Sequence, residues 1–377
     1  MSLRRILAMM RKEVIQIWRD PRSLLVIFAM PIIQLVIYGY GVNLDIKHIP
    51  LCVYDRDATQ TSQDLLKHFQ ATDYFTIVRV AENYPDVIQQ IDRGACTVAV
   101  VVPPRFSEEI HSSGQAPVQA LLDASDSNTA SIGMGYALSI VQAYSQNIQI
   151  EWRERNGMPP EYLNVTFQPR TWFNENLESM ANIVPGVVAM VMAVVGAFLT
   201  SLTIAREWER GTMEQLIATP VRKLEIQTGK LIPYFAIGMM DTALCAGAAV
   251  WWFGVPFRGS WTVLFACSAL FLIVVLSLGY FFSVTSKSQL GASQLALLVT
   301  LLPTFLLSGF IFPIDQMPVF VQWVTRILPA RYYVSILRSV FLKGTTVRVM
   351  AGDIIALGII AVLLIIRATR AFQKRLE

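Results

Sequence analysis

The chain has 377 residues, 54% of them hydrophobic and 15% charged, with a formal net charge of +4 and a mean hydropathy of +0.48. A soluble domain is about 45–50% apolar and about 25% charged, so this composition excludes an ordinary water-soluble fold. The surplus positive charge lies beside apolar runs and forms no single patch, which excludes a nucleic-acid surface.

Residues 1–22 carry Arg4, Arg5, Arg11, Lys12, Arg19 and Arg22, with Leu3, Ile6, Leu7, Met10, Val14 and Ile17 between them at helical spacing. This predicts an amphipathic helix lying on membrane lipid, basic on its wet side, with Trp18 at headgroup level. Residues 23–42 form the first apolar run, and a helix needs about 20 such residues to cross the hydrocarbon core. The run is long for a cleaved signal peptide, holds Pro31 and ends without a small-residue cleavage pattern, so it reads as a retained span.

Residues 43–176 change character, with 16 acidic and 9 basic side chains. Leu51–Tyr54, Thr97–Val102, Val118–Leu122 and Val165–Phe167 read as strands, and Ser62–Phe69 and Thr129–Glu154 as helices. Such alternation predicts a small α/β or α+β domain. Cys52 and Cys96 each begin a strand-like segment. They can pair if the domain lies outside the cytoplasm, but two buried free thiols is the simpler reading.

Residues 177–377 hold five further apolar runs, at about 180–204, 231–253, 262–284, 290–312 and 352–366, the last one short. The expected fold class is therefore a mainly α-helical membrane protein with six spans and an α/β domain inserted between the first two. Lys and Arg near the spans number sixteen on the side of both termini and six on the other, so the termini are expected to be cytoplasmic and residues 43–176 outside. Residues 313–345 are too apolar for a loop and are broken by Pro313, Pro318 and Pro329. They read as short helices dipping into the outer leaflet, with arginines reaching towards headgroups, in preference to a seventh span.

No phosphate-binding loop, zinc-protease motif or nucleophile elbow occurs, and no Cys/His spacing suits a metal. The chain is thus expected to be no enzyme and to bind no cofactor of its own. His48, His68 and His111 read as surface residues. Asp241 sits midway along the third apolar run, where a charge costs about 2.5–3.5 kcal/mol. Either it lines a transport path or subunit interface, or it is a buried residue that fixes packing.

The loop after the second span carries Arg206, Glu207, Glu209, Arg210 and Glu214 within nine positions, closed by Thr219-Pro220. Glu207–Arg210 and Arg206–Glu209 are spaced to pair along a helix. A short charged helix of this kind suits docking of a cytoplasmic partner, and otherwise it merely joins two spans.

These residues carry a resemblance. Arg-Glu-x-Glu-x-Gly-Thr-Met-Glu-Gln-Leu, Gly229–Tyr234, Leu307–Pro313 and Leu328–Tyr332 resemble the permease subunits of ABC-2 type exporters, the bacterial kind with a large outer domain. Asp55-x-Asp57, Val102-Pro103-Pro104-x-Phe106 and Asp123-x-Ser125-x-x-Asn128 fit more weakly. The resemblance implies an inner-membrane half-transporter that meets a second permease, identical or similar. Separate ATP-binding subunits would carry ATP and Mg. It assigns their contact to a coupling helix within 205–220: Arg206, Glu207, Glu209, Arg210, Gly211, Thr212, Glu214 and Gln215. It further implies efflux of drugs or other amphipathic compounds, and in some cases a periplasmic adaptor and an outer-membrane channel. The competing readings are a permease that transmits force to a periplasmic partner and a receptor with an extracytoplasmic ligand-binding domain.

Overall fold

The computed structural model describes residues 2–41, 47–113, 115–155 and 179–372, and the chain divides into two compact units, Met1–Asn43 with Arg170–Glu377, and Leu44–Pro169. The predicted strand Val165–Phe167 lies outside the described residues.

In the first unit α1 (Leu3–Trp18) leads directly into α2 (Pro21–Gly41), whose first residue is proline, a residue that costs nothing at a helix start. Five described helices are long and apolar enough to cross a bilayer: α7 (Ser179–Glu209), α9 (Lys223–Trp251), α10 (Trp261–Ser286), α11 (Gln289–Leu307) and α14 (Ala351–Ala371). The described apolar part of α2, Ile27–Gly41, is shorter. The last run, expected to stop near residue 366, continues as helix to Ala371, because arginines at 367 and 370 extend a helix as readily as alanine.

α7 forms the axis of this unit. Its most apolar stretch is 89% buried, against 17% for α14, and it packs against α2, α9, α10, α11 and the later helix α13 (Pro329–Arg338). Four hydroxyls inside the apolar helices are satisfied locally: Thr200, Thr242, Ser268 and Thr300 donate to the carbonyls of Gly196, Gly238, Leu264 and Ala296, one turn back.

The segment after α11 is a 3-10 turn (Ile314–Gln316), α12 (Val319–Thr325), α13 (Pro329–Arg338) and a π-helical turn (Ser339–Lys343). α13 packs on α7 and α14, and Tyr333 stacks on Phe271 of α10 at 4.1 Å. Of the arginines in this segment Arg326 is exposed, while Arg331 and Arg338 are partly buried. Arg326 lies over the Trp323 ring, Arg331 donates to Thr325, and Arg338 donates to the Phe310 carbonyl.

The second unit is a four-stranded sheet in the order β2-β1-β3-β4. β1 (Ile49–Asp55) pairs in parallel with β2 (Phe75–Val80) and β3 (Val98–Val102), and β4 (Gln119–Leu122) closes the far edge antiparallel to β3. β3 is buried along its whole length, as a strand covered on both faces should be. Leu51, Val53, Val98 and Val100 face α3 (Gln60–Gln70) and α6 (Ser127–Arg155), while Cys52, Ala99 and Val101 face α4 (Tyr84–Asp92). α5 (Phe106–Ser113) completes the first face. β2, α4 and α5 have no counterpart among the elements predicted from the sequence. Cys52 and Cys96 are not free thiols: β1 and β3 are neighbours, their Cα atoms lie 5.7 Å apart, and they form a disulfide. The Nδ1 atoms of His68 and His111 turn to the carbonyls of Asp64 and Ser107 in their own helices.

Candidate functional site

The charged run after the second apolar segment is not one helix. α7 continues through Arg206 to Glu209, then turns, and α8 (Met213–Ala218) follows. Gly211 is the reason. Its φ of +68° is the left-handed conformation that ends a helix, and the Thr212 N–H donates to the Glu207 carbonyl at 3.1 Å across the cap.

The expected pairs Glu207–Arg210 and Arg206–Glu209 do not form. Arg206 and Glu207 lie on the buried side of α7, 4% and 3% exposed. There Arg206 meets Asp20 at 3.3 Å, and Glu207 meets Lys12 at 2.8 Å and Lys230 at 3.2 Å. Glu209 turns the other way and accepts from the backbone N–H of Gln289 at 2.7 Å. Lys287 lies over the Trp208 ring, 5.0 Å from its centroid. Thr212 donates to Glu207 from within the turn. Sequence spacing found the local candidates, but longer-range partners of opposite charge win because they are buried and bond at shorter range.

Behind the turn lies a polar cluster that no local motif or spacing in the sequence marks. Lys230 of α9 is fully buried and pairs with Glu13 of α1, which also accepts from the Tyr234 hydroxyl at 3.4 Å. Two carboxylates and two ammonium groups balance, as buried charges require. The helices approach closely because Gly229 has no side chain: a Cβ there would meet the Met9 Cβ at 2.7 Å. Glu225, next to the start of α9, accepts from the Ser2 and Arg222 N–H groups, and Arg5 donates to the Pro220 carbonyl. α1 is thus fixed to the α7–α8–α9 segment at Arg5, Lys12 and Glu13, and Asp20, just past its end, holds Arg206 of α7. Two signals were available in the sequence: Glu13 is the one acid of α1, and Lys230 sits beside the start of an apolar run.

What remains outward on the turn is Glu209, Arg210, Gly211, Glu214 and Gln215, all exposed, with Thr212 half-buried. Met213 and Leu216 anchor α8 from below, against Met9, Ile204, Ile226 and Tyr280. The arrangement presents a charged surface on a rigid base.

Asp241 is 1% exposed and borders a cavity of about 10 Å³ within the helices of this one chain. Among the described residues a space large enough for a drug-sized molecule lies elsewhere. An apolar groove of about 600 Å³ runs between α10, α11, α13 and α14, past Val275, Pro303, Leu328, Leu363 and Arg367. Asp241 does not line it.

A family model described as "ABC-2 family transporter protein" matches residues 22–370. The chain is 38% identical over 378 aligned positions to "Probable multidrug ABC transporter permease YbhS" of Escherichia coli strain K12, covering 100% of this chain and 99% of that protein. It is 27% identical to "Probable multidrug ABC transporter permease YbhR" of the same organism, covering 92% of each. It is 20% identical to "Linearmycin resistance permease protein LnrN" of Bacillus subtilis, covering 93% of this chain and 94% of that protein.

Proposed function

Because the chain belongs to the ABC-2 family of transporter proteins, we propose that it is the membrane-spanning permease of an ATP-driven exporter that expels drugs or other amphipathic compounds across the bacterial inner membrane. α2 completes six spans, with both termini cytoplasmic and the Leu44–Pro169 unit periplasmic. The Cys52–Cys96 disulfide supports that placement, since such bonds persist in oxidising compartments. The exposed apolar face of α1, with Leu3, Leu7, Val14 and Trp18, supports its lying on lipid.

One observation carries the reading: an outward charged turn, Glu209 to Gln215, stands directly on a buried ion cluster that reaches three helices. An ATP-binding subunit, holding ATP and Mg, docks on the turn. A shift of the turn moves Glu207, and the cluster passes that movement to α1 through Lys12 and Glu13 and to α9 through Lys230. ATP favours one arrangement only through contacts that differ between the two, and this surface is where they are made. A second permease, identical or similar, completes the translocation unit, and a periplasmic adaptor and outer-membrane channel extend it. The 600 Å³ apolar groove suits an amphipathic cargo.

Purification of the tagged chain from its own membrane tests this reading. An ATP-binding subunit should come with it, and its hydrolysis should rise with amphipathic compounds. Recovery of the intact chain without any ATPase would return it to the receptor reading.

A further inference from the structure

Among the described residues that wall the groove between α10, α11, α13 and α14, one is charged, and it is a cation. On α14 the lining positions Ile360, Leu363, Leu364 and Arg367 follow at three- and four-residue steps, so they share one helical face. That face turns from apolar to cationic within two turns. Arg370, three positions further on, stands beside Arg367, and both are exposed. Among the described residues Arg367 joins no ion pair.

The cationic end of the groove lies at the level of the docking turn. Ala368, next to Arg367, and Phe372 pack with Met213 and Leu216 of α8. Headgroups lie at that end of a bundle embedded in a bilayer, and the apolar wall leads inward from them. Along α14 it covers roughly 10 Å from Arg367 to Ile360, against about 15 Å for the hydrocarbon of one leaflet. The groove is also open sideways. α11 and α14, which flank it, are the least buried of the five long apolar helices, at 22% and 17%, and Val299, Ile327 and Leu363 on its walls are exposed. An occupant therefore comes from the bilayer, with its tail along the apolar wall and its head at Arg367. A zwitterionic head brings an ammonium group up to the guanidinium, whereas an anionic head brings only the charge that two arginines attract.

We propose that this groove binds a phospholipid of the leaflet on the docking-turn side, with its anionic headgroup held by Arg367 and Arg370 and one acyl chain lying between α11 and α14. Lipid binding here needs neither a cargo nor an ATP-binding subunit. A cargo that uses the groove must first displace the lipid.

Photolabelling of the purified full chain tests this without measuring export or ATP hydrolysis. The probe is phosphatidylglycerol with a diazirine in one acyl chain, added to the chain in detergent micelles. In the wild type, adducts should map to groove positions such as Val299, Pro303 and Leu363. Unlabelled phosphatidylglycerol should suppress them at concentrations where phosphatidylcholine does not. Arg367→Gln, a change at an exposed position, should need about fivefold more phosphatidylglycerol probe for the same labelling, the contribution of one arginine at a membrane surface. Arg367→Lys should stay near the wild type. Arg19→Gln, at an exposed arginine that follows α1, should change nothing. Equal suppression by phosphatidylcholine overturns the proposal. So do adducts spread evenly over the outward positions Leu298, Leu302, Ile359 and Val362, or an Arg19→Gln effect as large as that of Arg367→Gln. Each of these outcomes describes the lipid that surrounds any span.

Discussion

Lys230, with no side-chain surface in contact with solvent, ion-pairs with Glu13, a residue 217 positions earlier and the one acid of α1. The pair joins the first helix to α9 and sets Glu207, at the base of the docking turn, between two ammonium groups. Removing one member of a buried pair leaves an uncompensated charge, at a cost of about 3–5 kcal/mol. Lys230→Met should therefore lower the melting temperature of the purified chain sharply. Adding Glu13→Leu to it should recover most of the loss, since the pair is then replaced by apolar groups. Equal and additive losses in the two variants would show that the contact contributes nothing.

The turn separates into residues that hold it and residues that offer a surface. Glu214→Lys with Gln215→Lys changes only exposed positions, so the protein should accumulate in the membrane at wild-type level and lose its ATP-binding subunit on purification. Glu207→Lys is a different experiment. It places a third cation beside Lys12 and Lys230, and the chain should fail to accumulate at all. Immunoblots of membranes before and after affinity capture distinguish the two.

Gly211 holds a backbone conformation that costs an alanine about 1–2 kcal/mol. Gly211→Ala should lower stability by about that much and weaken subunit capture more than Gly94→Ala. Gly94 has the same φ of +68° and lies in the other unit. Equal capture by the two variants would deny the turn a part in docking.

Much of the fold is legible in the sequence because the forces that set it are local or repetitive. Apolar runs of about 20 residues specify α7, α9, α10 and α11. Alternation specifies β1, where Leu51 and Val53 face one side and Cys52 the other. β2 was missed because Thr76, Val78 and Arg79 on an edge strand give no clear apolar face. The end of α14 was missed because arginine, which ends an apolar run, does not end a helix. At the candidate site the residue types were legible and their partners were not. Glu207 lies 23 residues from Lys230 and 195 from Lys12. No spacing rule spans that distance, and the local i,i+3 rule points to Arg210 instead.

In the second unit the disulfide closes a loop of 44 residues between β1 and β3. Such a closure stabilises by about 2–4 kcal/mol, chiefly by restricting the unfolded chain. Cys52→Ala with Cys96→Ala should lower the unfolding transition of this unit by that order. A reductant should shift the wild type and leave the double variant unchanged. Calorimetry with and without dithiothreitol reads both.

Photo-crosslinking from single positions of the turn tests most directly whether energy enters here. A photoreactive residue at Glu214 or Gln215, both exposed, should form an adduct with an ATP-binding subunit in intact cells, and one at the buried Met213 or Leu216 should not. Adducts from Glu214 and Gln215 with a periplasmic protein, or with no protein while the chain still exports, would contradict the account.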